Sequence, residues 1–168
     1  MIRPATITDS RSIAEIHVAS WQHTYVGQMS DEVLDNLSIS EREVGWREAL
    51  TTECPNVLVV EEDGAIGGFV HFGLAHDESP PSSKTGEVYA LYLQAASQGR
   101  GLGRALWDLA IQELRVQGCA NVVVWVLETN QVARRFYERC GCVLNGTPQE
   151  ITIGGNALVQ VPYILRMR

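Results

Sequence analysis

The chain has no long apolar run. No stretch approaches the ~20 apolar residues that a membrane-spanning helix needs, so no membrane partner is expected. Its opening, "MIRPATITDS", lacks the apolar centre of an export signal, and a cytoplasmic setting is the expectation. Basic charge is scarce as well. Lys and Arg number 13 against 20 Asp and Glu, a formal net charge of −7. Such a balance argues against a nucleic-acid surface, which needs a basic patch to displace counterions. It suits a basic or a neutral small substrate without choosing between them. Cysteine is sparse: Cys54, Cys119, Cys140 and Cys142, of which only the last two form a close pair. Structural zinc sites show two such pairs with a loop between them, so no metal is expected, and reduced thiols are. Repeats and low-complexity linkers are also missing. At 168 residues the chain is long enough for one well-filled domain, residues 1–168, and short for two.

What is present reads as alternating elements. "IRPAT" suggests a short strand. Ile13, Ile16, His17, Ser20 and Trp21 fall at helical spacing after Thr8 and Asp9, which are cap-type residues. "SDEVLDNL" is a second short helix capped by Ser30. "SEREVGWREAL" opens with Ser40 and Glu43 in capping-box spacing. "NVLVVEE" and "AIGGFVHFGLA" are strands joined at Asp63-Gly64, a hairpin signal. "HDESPPSSKTG" reads as loop and "GEVYALYL" as strand. Beyond a glycine loop, Leu102, Leu106, Leu109, Ala110 and Leu114 mark one face of a helix that stops at Gly118. "NVVVWVL" has the unbroken apolar run of a strand covered on both faces. "NQVARRFYERCG" is a helix between Asn130 and Gly141, and "CVLNGT" is a strand. The last segment is a hairpin turning near Gly154-Gly155, with Pro162 marking a bulge or an edge. The fold class is α/β of the α+β type: one mixed sheet, antiparallel first, with helices on its faces.

The glycine loop "QGRGLG" carries the chemistry. Gly99, Gly101 and Gly103 stand between a strand and a helix start, where backbone N–H groups and the helix dipole suit phosphate. Arg100 and Arg104 add possible charge-assisted hydrogen bonds. The P-loop pattern G-x-x-x-x-G-K-S/T fails, because no Gly-Lys follows. The dinucleotide fingerprint G-x-G-x-x-G/A is matched at Gly101 and Gly103 but meets Leu106 at its third place. Glu128 stands near where a ribose-binding acid belongs. A nicotinamide-dependent oxidoreductase is therefore the weaker alternative.

The pattern Q/R-x-x-G-x-G/A is met at Gln98, Gly101 and Gly103. Downstream, Asn130, Ala133, Phe136, Tyr137 and Gly141 match N-x-x-A-x-x-F/Y-Y-x-x-x-G-F, except that Cys142 replaces the final aromatic. With the preceding "EVYALYL", residues 87–143 resemble the GNAT superfamily of acetyl-CoA-dependent N-acetyltransferases. The helices before them, with Trp46, resemble small bacterial members. The resemblance implies a mostly antiparallel sheet splayed in the middle and flanked by helices on both faces. It implies acetyl-CoA as co-substrate. The pyrophosphate would lie on Gln98, Gly99, Arg100, Gly101, Leu102, Gly103 and Arg104. The pantetheine arm would lie along the backbone at Leu91 and Leu93, and Asn130 and Ala133 would lie near that arm. It further implies direct acetyl transfer to a primary amine of a small molecule or peptide. Tyr137 would be the acid for the leaving thiolate and Glu87 the base. His71 is a second base candidate, and Tyr89 and Tyr92 would line the slot. No cysteine has a histidine beside it in sequence, which disfavours an acyl-enzyme route.

The acceptor is less legible. Trp21, Tyr25 and Trp46 could wall its pocket and meet an ammonium by cation–π contact, or could be core. Asp31, Glu32 and Asp35 could attract an amine or be a solvated helix face. The "HDESPPSSKTG" loop is expected to help shape the pocket. The alternative on the same fold is a non-catalytic acyl-CoA-binding regulatory module. A homodimer is compatible with the C-terminal strands, whose edges need covering.

Overall fold

A computed structural model describes residues 1–52, 55–76 and 84–167. Cys54 and most of the "HDESPPSSKTG" segment lie outside these residues. The elements run β1 (Ile2–Pro4), α1 (Ser10–Thr24), α2 (Asp31–Asp35), α3 (Ile39–Leu50), β2 (Val57–Glu62) and β3 (Ala65–Leu74). They continue β4 (Lys84–Leu93), α4 (Leu102–Val116), β5 (Cys119–Leu127), α5 (Gln131–Arg139), β6 (Val143–Leu144), β7 (Gln149–Ile153) and β8 (Asn156–Arg166). Strand order is β1-β2-β3-β4-β5-β8-β6, with β7 also on β8. Two compact units divide the chain: Met1–His71 with Ala90–Asp108, and Phe72–Tyr89 with Leu109–Arg168. Among the described residues no helix is long and apolar enough to cross a membrane.

In the first unit, β1, β2 and the start of β3 form an antiparallel ladder through Arg3↔Val59 and Val59↔Phe69. The hairpin turns where the sequence signals it, with Asp63 at φ 50° and Gly64 at φ 80°. Helices α1 and α3 cover this ladder. Ile13, Ile16, Trp46, Leu50, Val59 and Phe69 share one core, with Tyr92 packed against it. Each fully buried side chain of this size is worth about 1.5–3 kcal/mol, so the core orients everything attached to α1 and α3. One cap differs from expectation. The N-cap of α3 is Ser38, whose hydroxyl accepts from the Glu41 N–H at 3.1 Å, rather than Ser40. The pattern S-x-x-E occurs twice here, at 38/41 and 40/43, and the helix takes the earlier frame. That choice brings Ile39 to the core.

In the second unit β5 and β8 pair antiparallel from Asn121↔Arg166 to Leu127↔Gln160. The parallel ladder of β4 with β5 runs only from Lys84↔Cys119 to Glu87↔Val123. Both strands continue past the last of these pairs. Valines 122, 124 and 126 are buried, while Asn121, Val123 and Trp125 are only half-buried, so one face of β5 is covered more fully than the other. Pro162 is neither on an edge nor in a bulge: it sits within β8 opposite Trp125. On its other side, β7 partners end at Gln160 and β6 partners begin at Tyr163. A residue without an N–H is tolerated at that gap. Helix α4 buries Leu106, Trp107, Ala110, Ile111 and Leu114, whereas Leu109 is exposed, so the apolar stripe is turned from the face first read.

Candidate functional site

The glycine loop follows β4 through a short 3-10 turn, Ala95–Ser97, and leads into α4. Gly99 and Gly101 hold φ of 73° and 80°, a region other residues enter at a cost. An added Cβ would meet nothing within 4 Å at either position. The glycines are thus required by backbone direction, and the space beside them is open. The Ala105 N–H donates to the Gly101 carbonyl at 3.0 Å. The N–H groups of Leu102 and Gly103 precede that bond and have no acceptor within the helix. They lie at the positive end of a 15-residue helix.

Three contacts hold this loop. Gln98 Nε2 donates to the Leu93 carbonyl at 3.2 Å. The buried Ser97 hydroxyl donates to Glu62 Oε2 at 2.7 Å, and Arg100 pairs with Glu62 Oε1 at 2.7 Å. Gly67 on β3 makes room for this: a Cβ there would stand 2.4 Å from Ser97 Oγ. Sequence reasoning missed Glu62 and Ser97, and only the hairpin geometry that brings β2 to the loop reveals them. Arg104 is engaged too, with Asp108 one turn on. Both pairs are exposed on the arginine side, and exposed pairs are worth about 0–1 kcal/mol.

The same unit gathers an aromatic cluster. His17 stacks on Tyr92 with centroids 5.5 Å apart, and Trp21 and Trp46 stand edge-on to it at 5.4 and 5.8 Å. His71 packs against Trp46 at 5.4 Å. The Trp46 indole N–H donates to His17 Nδ1 at 3.2 Å. Burial, with Arg42 and His71 nearby, lowers the His17 pKa to about 4, so at neutral pH its proton is on Nε2. The face of Trp21, for which an ammonium platform and core packing both stood open, is covered by the Arg42 guanidinium, 4.7 Å from the ring centre. Arg42 was also missed, although it precedes Trp46 by one helical turn.

The second unit holds the remaining candidates. Glu87 closes the parallel ladder and is half-buried. Burial raises its pKa, against a hydrogen bond from the His76 backbone and the charge of that imidazole. The Tyr89 hydroxyl donates to the Leu74 carbonyl, and its ring stacks on His76 at 5.1 Å. Asn130 caps α5: its Oδ1 accepts from the Ala133 N–H at 3.0 Å. The helix ends in paired bonds, Cys142 N–H to the Tyr137 carbonyl and Gly141 N–H to the Glu138 carbonyl, with Gly141 at φ 89°. Tyr137 is the buried aromatic and Phe136 the half-buried one. Cys119, Cys140 and Cys142 are buried and are not in disulfides. Among the described residues no three His, Cys, Asp or Glu side chains gather as a metal site.

The family model described as acetyltransferase (GNAT) family matches residues 11–142. The chain belongs to the GNAT acetyltransferase family. This GNAT chain is 33% identical over 130 residues to YuaI of Bacillus subtilis, an uncharacterised N-acetyltransferase, covering 77% of the chain and 72% of that protein. It is 33% identical over 120 residues to the mycothiol acetyltransferase of Saccharopolyspora erythraea. That match covers 71% of the chain and about a third of the relative, 35%. Among solved structures, yncA of Salmonella typhimurium, determined with its cofactor acetyl-CoA, is 27% identical at a TM-score of 0.71. The match covers 99% of this GNAT chain and 92% of that one. An N-acetyltransferase from Staphylococcus aureus shares the fold at a TM-score of 0.77 and 24% identity, covering 99% and 97%.

Proposed function

We propose that the chain transfers an acetyl group from acetyl-CoA to a primary amine of a small molecule or peptide, by direct attack in a ternary complex. The observation that carries this reading is the loop itself. Two glycines in the left-handed region deliver the open first turn of α4 to a site with space beside it. That arrangement suits a pyrophosphate. In this reading Gln98, Gly99, Arg100, Gly101, Leu102, Gly103 and Arg104 form the cradle, with Arg100 exchanging Glu62 for phosphate. The backbone at Leu91 and Leu93 takes the pantetheine arm. The Leu93 carbonyl already accepts from Gln98, which leaves its second lone pair for the arm. Asn130 spends its oxygen on the cap, so its amide N–H groups are what it offers the arm beside Ala133.

The reaction needs a deprotonated amine and a protonated leaving group. Glu87 takes the proton as the amine nitrogen attacks the thioester carbon. The carbon–sulfur bond breaks and Tyr137 gives the thiolate its proton. Burial tunes Glu87 toward that task, since a base acts best with a pKa nearer the working pH. His71 is the second base candidate. A cytoplasmic setting fits cysteines that are not in disulfides. A homodimer through the C-terminal strands fits the exposure of Val143 (62%) and Leu144 (50%) on β6, and sedimentation checks it.

Titration calorimetry with acetyl-CoA, CoA and NADH on the wild type and on Gly101→Val tests the reading. Acetyl-CoA binding that the variant loses supports the cradle. A folded wild type that ignores acetyl-CoA and takes NADH overturns it. Acetyl-CoA binding without turnover of any amine would favour the regulatory alternative.

A further inference from the structure

Among the described residues, the cluster around Arg42 presents donors, and no ion pair engages its cation. The Arg42 guanidinium is half-buried on Trp21. Trp21 Nε1 is fully buried and faces the Tyr92 oxygen, which it stabilises without reaching full hydrogen-bonding geometry. A buried N–H so imperfectly paired is open to a stronger acceptor. Beside it are two phenols that stay protonated at neutral pH. Burial raises the Tyr92 pKa against the nearby Trp21 N–H and Arg42, and burial takes Tyr25 to about 12. His17 is neutral and carries its proton on Nε2. Among the described residues, Arg42 acts on the electrostatics of His17, Tyr25 and Tyr92 alike. In a chain of net charge −7, a semi-buried cation ringed by N–H and O–H donors is an uncompensated site. The cluster is also tied to the cofactor strand, since Tyr92 lies between Leu91 and Leu93 on β4.

We propose that the amine acceptor carries a carboxylate, as an amino acid does, and that Arg42 with the Trp21, Tyr25 and Tyr92 donors binds it. The proposal rests on the acetyl-transfer reading and names its acceptor class. An ammonium alone is a poor occupant here, because Arg42 already holds the Trp21 face and repels a second cation. A carboxylate supplies a stronger acceptor for the indole than the Tyr92 oxygen and the counter-charge that no ion pair among the described residues gives Arg42.

The test uses matched pairs: amino acids and the amines left after their decarboxylation, such as tyrosine with tyramine and lysine with cadaverine. Thiol release from acetyl-CoA is followed, and binding of each compound to the CoA-bound protein is measured by calorimetry. The expected result is a preference for the carboxylate member of about ten- to hundredfold in kcat/KM, the worth of hydrogen bonds to a charged group. Arg42→Gln should erase that preference by raising KM for the amino acids, and Arg42→Lys should restore part of it. Retained acetyl-CoA binding shows that each variant is folded. Equal or better use of the decarboxylated amines overturns the proposal. So does acetyl-CoA binding with no amino acid bound or acetylated, which leaves the cofactor reading standing. Failure to bind acetyl-CoA at all strikes instead at the acetyl-transfer reading.

Discussion

Glu87 is held protonated to a higher pH than a solvated glutamate, because burial penalises its charge more than His76 favours it. A base must be deprotonated to act. With a raised pKa, activity falls on acidification at a higher pH than the ordinary carboxylate value of about 4.3 would give. The acid limb of kcat/KM should therefore lie above that value and should disappear, with most of the rate, in Glu87→Gln. An unchanged limb in the variant assigns the base to another group, His71 first. Tyr137→Phe keeps the buried ring and removes only the O–H. It should lower kcat by about 10²-fold, the usual weight of a general acid, with acetyl-CoA affinity retained. An unchanged kcat would leave Tyr137 as packing. Both candidates were nominated in the sequence, Tyr137 from the motif and Glu87 from its place at the head of the central strand. Arg42 was not, because one arginine on an amphipathic helix reads as a solvated position. Its meaning depends on α1 bringing Trp21 beneath it.

At the scale of elements, local grammar predicted the hairpin turns and the α5 cap correctly, because Asp-Gly, Gly-Gly and Asn have few conformational alternatives there. It failed where two frames competed or where a neighbour decided: Ser38 over Ser40, the rotated stripe of α4, and Pro162 at a gap between two partner strands. Asp9 illustrates the same point. It reads as a helix cap, yet its carboxylate accepts from both Arg3 terminal nitrogens, at 2.7 and 3.0 Å, and from the Thr6 N–H at 2.8 Å, joining β1 to the start of α1. Arg3 foremost, with Thr6, holds its pKa at about 2 despite burial. A lowered folded-state pKa stabilises at pH above the unfolded value of about 3.9 and is lost as pH falls towards 2. The contribution is about 1–2 kcal/mol, allowing for solvent around Arg3. Urea denaturation of Asp9→Asn against wild type should show that loss at pH 7 and a near-merging of the two curves at pH 2. A constant gap across that range would mean that the charge is not what stabilises.

For the whole molecule, the chain passes between its two units inside β3, β4 and α4 rather than at linkers. Unfolding either unit would break hydrogen-bonded elements that continue into the other. We therefore propose a single domain with one cooperative thermal transition, and ligand binding is then read on that transition. A ligand that binds only the folded state adds RT ln(1 + [L]/Kd), about 2.7 kcal/mol at a hundredfold excess over Kd. For a chain near 150–250 residues, 1 kcal/mol moves the midpoint by about 2–4 °C. Acetyl-CoA at that excess should raise the single midpoint by roughly 5–10 °C by these scalings. NADH should leave it in place, and Gly101→Val should melt once and show no acetyl-CoA shift. Two separate transitions in calorimetry, with acetyl-CoA moving only one, would overturn the single-domain proposal. They would also show which unit carries the binding free energy. Because the glycine loop and the Arg42 cluster both lie in the first unit, a shift confined to the other would count against both assignments.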